Sequence, residues 1–112
     1  MHNQVSNARQ TNSLLMGIQE GMPVYDLNDE KIGSVKYVKF PDDTVEEAEP
    51  PIVDDKVRHA HPVVRTRLMK HGYVRVGTGA LHKDVFVLAD QVETVGDSGV
   101  FLNAFRQELT AL

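Results

Sequence analysis

The stretch Gly21 to Phe40, GMPVYDLNDEKIGSVKYVKF, constrains the fold more than any other part of this chain. Two extended runs, Pro23 to Leu27 and Ile32 to Phe40, flank the polar cluster Asn28-Asp29-Glu30. Residues of that kind tolerate the left-handed backbone of a tight hairpin turn, so the spacing predicts two antiparallel strands with positive φ at Asn28 or Asp29. The second strand changes phase, with Val35 and Tyr37 on one alternation and Val38 and Phe40 on the other. Such a shift marks a bulge or a curled strand covered on both faces, and Gly33 is the expected point of bending.

After the hairpin the composition changes. Pro41 to Pro51, PDDTVEEAEPP, has no β-branched run and reads as a loop. Asp42 to Asp55 holds seven acids and no base, whereas Lys56 to His71 holds five Lys or Arg, three His and no acid. Pro62 to Gly72 carries helix punctuation at both ends, with Pro in the first turn, Lys70 and His71 in the last and Gly72 as a left-handed stop. Val64 and Leu68, four apart, would face a sheet.

Short strands follow at Tyr73 to Val76, Val85 to Leu88, Gln91 to Val95 and Val100 to Leu102, with turns at Gly77-Thr-Gly79 and Asp97-Ser-Gly99. About six short strands in a chain this small predict an all-β domain with one or two short helices, a closed or nearly closed barrel that hides its own edges. Leu14 to Ile18 is expected as a first strand or a segment over the barrel mouth, and Ala104 to Leu112 as a short helix presenting Phe105, Leu109 and Leu112 on one face. Met1 to Ser13, with little to bury, is expected to be a disordered tail ahead of one domain over 14–112, the charged insertion being 41–72.

At 112 residues, one core burying roughly 60–65% of the unfolded surface suffices without disulfides. The chain has no cysteine, which excludes a disulfide framework and thiolate chemistry. A net charge of −4 disfavours nucleic acid as the main partner. No leader-like N-terminus and no apolar run of about 20 residues is present, so a cytoplasmic protein is expected.

Two blocks of the chain resemble a known family. GMPVYDLNDEKIGSVKYV is similar to the opening hairpin of PRC-barrel domains, and HGYVRVGTGALHKDVFVLADQVETVGDSGVFL to their closing half, with Val87-Leu88-Ala89-Asp90, Val92 with Val95, and Val100-Phe101-Leu102 in the expected places. Asp29 stands where the family often has Gly. The resemblance implies a six-stranded β-barrel, as in the cytoplasmic part of the photosynthetic reaction-centre H subunit and the C-terminal domain of a bacterial ribosome-maturation factor. It implies an assembly or docking role and no shared catalytic residues.

His59-Ala-His61 puts two imidazoles on one side of an extended segment, near Asp54 and Asp55, with His71 or His82 as a third donor; a metal site needs three or four converging donors, and exposed histidines are the commoner reading. Gly77-Thr-Gly79 precedes a strand where a phosphate loop would precede a helix, so it reads as a turn. No serine sits in a nucleophile elbow and no histidine is oriented as a base, so no catalytic residue and no cofactor is expected. Arg58, Arg65, Arg67 and Lys70 could meet an RNA backbone, but no aromatic interleaves them. The expectation is a non-enzymatic protein-interaction or assembly module, dimeric through Phe105, Leu109 and Leu112 with Arg65 and Arg67 meeting acidic arms across a two-fold axis. The alternatives are an RNA- or ribosome-associated accessory protein and a small-ligand or metal-responsive regulator.

Overall fold

The computed structural model of the chain describes residues 13–41, 54–79 and 82–112. The expected N-terminal tail, but for Ser13, and the acidic loop up to residue 53 lie outside the described residues. A helical turn, α1 (residues 13–16), leads into strands β1 (Pro23–Tyr25) and β2 (Lys31–Lys39), then helices α2 (Asp55–Arg58) and α3 (Pro62–His71). Five strands follow: β3 (Tyr73–Gly77), β4 (Val85–Leu88), β5 (Val92–Gly96), β6 (Gly99–Leu102) and β7 (Thr110–Ala111), with single 3-10 turns at Ala89–Gln91 and Arg106–Glu108. They form one sheet in the order β5-β6-β1-β2-β3-β4-β7, in which β1 and β6 run parallel and every other neighbouring pair antiparallel.

The hairpin forms, and Asp26 organises its turn. Its buried carboxylate Oδ1 accepts from the backbone N–H of Asn28 at 2.9 Å and of Glu30 at 3.0 Å. The Asp29 N–H closes back on the Asp26 carbonyl at 2.9 Å, and Asp29 takes φ 63°, the left-handed conformation the turn residues predicted. The first strand stops at Tyr25, short of Leu27, whose N–H donates to the carbonyl of Ala104.

The phase shift in β2 is a bulge at Lys36. Val35 pairs with Val76 and Tyr37 with Arg75, so one residue of β2 has no opposite number. The extra residue turns both Val35 and Val38 toward the core and Tyr37 away from it. A second irregularity lies at the expected point of bending: Val24 pairs with Gly33 and Tyr25 with Lys31, so Ile32 has no opposite number in β1. Gly33 serves another need: a Cβ there would lie 2.0 Å from the Gly77 carbonyl oxygen, so β2 and β3 approach too closely for any side chain.

Val24, Ile32, Val35, Val74, Val76, Val85, Val87, Val92, Val100 and Leu102 belong to one buried cluster. Because β4 and the β5–β6 pair lie at opposite ends of the strand order yet share this core, the sheet is rolled. The expectation of a barrel of about six strands becomes a seven-stranded sheet that does not close, with β5 and β7 as its edges. Leu14 to Ile18 is a helical turn rather than a strand; it buries Leu15 and Ile18 in the same core, with Gly17 against Val95.

The expected C-terminal helix does not form. The carboxylate of Glu108 accepts from the N–H of Phe105 at 2.7 Å and holds a single 3-10 turn, after which the chain extends as β7. Leu109 enters the main core, while Leu112 packs on a second cluster with Val57, Leu68, Met69, Tyr73 and Phe86. A separation of three puts side chains on one face of a helix but on opposite faces of an extended chain.

The inserted helix forms as expected. His61 caps it through Nδ1, which accepts from the Val63 N–H at 3.2 Å, and Gly72, at φ 83°, ends it with an N–H to the Leu68 carbonyl at 2.9 Å. Leu68 is buried and Val64 half-buried, both toward the sheet. Among the described residues no helix is long and apolar enough to cross a membrane.

Candidate functional site

The alternation in β3 sends Val74 and Val76 into the main core and Tyr73 and Arg75 to the other face. There Arg75 stands opposite Tyr37 on β2 and Phe86 on β4, and Tyr73 opposite Leu88. This face is covered by the insertion, whose Val57, Leu68 and Met69 pack on Tyr73 and Phe86. An arginine on the solvent side of a two-layer sheet would be wet; here it lies under a third layer.

Two carboxylates meet it. Arg75 Nη1 donates to Asp54 Oδ1 at 2.7 Å and Nε to Asp84 Oδ2 at 2.6 Å, with the guanidinium carbon 5.5 Å from the Phe86 ring centroid. Asp54 is the N-cap of α2 and also accepts from the Lys56 N–H at 3.0 Å and the Tyr73 hydroxyl at 3.3 Å. Asp84 receives a further bond from Lys36 Nζ at 3.3 Å. Both aspartates are buried while Lys36 is half-exposed, so two cations balance two anions and the net charge of the network is zero.

The electrostatics follow. Burial alone pushes the Asp84 carboxyl up, but the hydrogen bonds from Arg75 and then Lys36 outweigh it and hold the group below the usual carboxylate range. Burial of the Tyr73 hydroxyl, reinforced by the negative charge of Asp54, pushes its pKa well above that of a free phenol. Burial opposes the Arg75 charge, and the hydrogen bond it donates to Asp84 together with the negative charge of Asp54 more than restores it. Asp84 is thus fixed as an anion and Tyr73 as a neutral hydroxyl through the neutral range, and neither is poised to exchange a proton there. The arrangement can clamp the insertion to the sheet, a mechanical task.

The expected site residues do not gather at this network. His61 is the cap of α3, His59 is exposed at the end of α2, and His71 and His82 are exposed elsewhere. Among the described residues no group of three or more His, Cys, Asp or Glu is arranged to hold a metal ion. Asp54, weighed with His59 and His61 as a metal donor, faces Arg75 instead, and Asp55 pairs with Arg58. Arg65 donates to the Arg58 carbonyl at 3.2 Å and ties α3 to α2, while Arg67 is exposed. Phe105 is half-buried, and Leu109 and Leu112 are engaged in the two cores, so the three do not form an outward face. Gly77 is the last residue of β3, and beyond it the Thr78 hydroxyl donates to the Lys83 carbonyl at 2.9 Å.

Arg75, Asp84 and Lys36 were not anticipated from sequence. The signal for them was the run Val85-Phe-Val-Leu88, apolar at four successive positions, which indicates a strand covered on both faces and therefore a buried partner for its neighbour's Arg75. No family model matches the chain, and no curated protein and no solved structure matches it either.

Proposed function

We propose that this chain is a non-enzymatic protein-interaction or assembly module of the PRC-barrel type. The observation that carries the reading is the internal neutralisation of the Asp54–Arg75–Asp84 network: the ionisable groups that converge on the outer face of β3 and β4 are engaged with one another and hold the insertion in place. Chemistry on a substrate would need such groups presented in a cleft. The PRC-barrel part rests on the resemblance of the hairpin and the closing block, whose strands lie around one core. Self-association belongs to the same proposal. It would use surfaces other than Leu109 and Leu112, because both side chains already pack within the subunit.

The test is affinity capture of the intact chain from the cell that makes it, with and without ribonuclease, followed by quantification of bound protein and RNA. A stoichiometric protein partner that survives ribonuclease supports the proposal. Recovery of RNA, with all protein lost on ribonuclease treatment, overturns it in favour of an RNA-associated role.

A further inference from the structure

The open edge of the sheet at β7 is flanked on both sides by basic side chains. One groove, of about 430 Å³, is lined by His82, Lys83 and Arg106 beside Val85, Leu109 and Ala111. A second, of about 530 Å³, is lined by Lys56, His59 and Lys83 beside Ala60, Ala111 and Leu112. Lys83 and Ala111 belong to both, so the two grooves meet at the edge strand. The acid in the second lining, Asp55, is paired with Arg58. Among the described residues none of the five basic side chains has an ion-pair partner.

The backbone at this edge is oriented for pairing. Thr110 stands opposite Phe86 and Ala111 opposite Val85, and the Leu112 N–H donates to the Asp84 carbonyl at 3.1 Å. In an antiparallel ladder hydrogen-bonded and non-bonded positions alternate, so the bonds to β4 fall at Thr110 and Leu112, and the N–H and C=O of Ala111 point outward. A short, outward-facing edge between apolar floors and cationic walls fits an added strand. The other edge, β5, exposes Glu93 and Thr94.

We infer that the β7 edge docks an extended acidic segment of a partner protein, which pairs its backbone with Ala111 and sets carboxylates against Lys56, Lys83 and Arg106. This rests on the protein-interaction reading and names its surface and partner chemistry. A peptide is favoured over a nucleic acid because no Phe, Tyr or Trp is among the residues lining either groove, and the outward N–H and C=O of Ala111 match a strand backbone rather than a phosphate. On each face of the added strand, apolar side chains alternating with acids would fill the floors, Val85 and Leu109 on one side and Ala60 and Leu112 on the other.

The probe is a labelled decapeptide repeating Glu-Glu-Val-Val, which sets acids and valines in alternation on both faces of an extended chain, titrated by fluorescence anisotropy against the full chain. Binding is expected at low salt and should weaken as salt rises past about 0.1 M, where screening shortens to the span of the groove. Lys56→Glu with Lys83→Glu should weaken it at least about tenfold, and Ala111→Pro, which removes the outward donor, by a similar factor. Both variants are checked for an unchanged thermal melt. The same peptide N-methylated at alternate residues needs no protein variant and should not bind. Equal binding of the methylated peptide, tighter binding of a single-stranded RNA of the same length, or full affinity in Ala111→Pro each overturns the inference. The assembly proposal is scored separately, by repeating the capture with Ala111→Pro as bait. Loss of the protein partner supports the β7 edge; a partner retained in full moves the interface elsewhere and leaves the assembly proposal standing.

Discussion

Asp54 Oδ1 lies 2.7 Å from Arg75 Nη1, an ion pair that joins the first residue before α2 to the middle of β3 across 21 positions of the chain. It attaches the two-helix insertion to the outer face of the sheet at a point where both partners are largely out of water. A pair of this kind stabilises less through its own attraction than through the cost of leaving either member alone in a dry site.

Asp54→Ala should therefore cost about 3 kcal/mol, since it leaves the Arg75 charge half-compensated and the Tyr73 hydroxyl without its acceptor. In an Arg75→Met background the same change should cost much less. Urea denaturation of the four proteins of this cycle measures the coupling. Equal cost in both backgrounds would show the pair to be energetically idle.

The pH dependence has a definite sign at each end. Asp84 is depressed in the folded chain, so its contribution is present above the unfolded value of about 4 and is lost as pH falls from there through the lower folded value. Tyr73 is raised, so its contribution is complete below the unfolded value of about 10 and is lost as pH climbs above it. Urea midpoints measured across pH should show Asp84→Asn flattening the acid limb alone and Tyr73→Phe the alkaline limb alone.

Gly33 and Gly77 are diagonal neighbours across β2 and β3, Gly77 standing opposite Ser34, but should respond differently to a methyl group. At Gly33 the new carbon would meet the Gly77 carbonyl at 2.0 Å, whereas at Gly77 it would meet the flexible Lys36 side chain at 3.0 Å. Gly33→Ala should destabilise by about 3 kcal/mol or more and Gly77→Ala by less than about 1 kcal/mol. Similar melting temperatures for the two variants would show that the strands can separate at this point.

In the hairpin turn, Asp26 should matter more than Asp29. Asp26→Ala removes the acceptor of two backbone N–H groups and should cost about 1–3 kcal/mol. Asp29→Gly relaxes a left-handed position and should be neutral or stabilising by up to about 1 kcal/mol. Chemical denaturation distinguishes the two; the reverse order would mean that the Asp29 side chain holds the turn.

Leu109→Ala should act on stability and leave association unchanged. The side chain sits in the main core, so its truncation should cost about 2–4 kcal/mol. Light scattering at micromolar concentration should give the same mass before and after, and a variant that dissociates while keeping its melting temperature would return Leu109 to an interface.

Local chemistry determined the hairpin, the inserted helix and the strands at β3 to β6, because each depends on neighbours in sequence: turn-forming Asn28 and Asp29, Pro62 and Gly72 at the helix ends, and alternating valines in β3. The same local rules misread Ala104 to Leu112. Leucines three apart satisfy a helical face, and only the presence of two separate cores, one on each side of the sheet, drew Leu109 and Leu112 in opposite directions and extended the chain. The site was hidden for a related reason. Arg75 alternates with valines in a manner that reads as solvent-facing, and it is partly shielded where a segment distant in sequence folds over that face and carries in Asp54. Alternation tells which residues share a face of a strand; what covers that face is decided by packing between elements that the chain brings together from far apart.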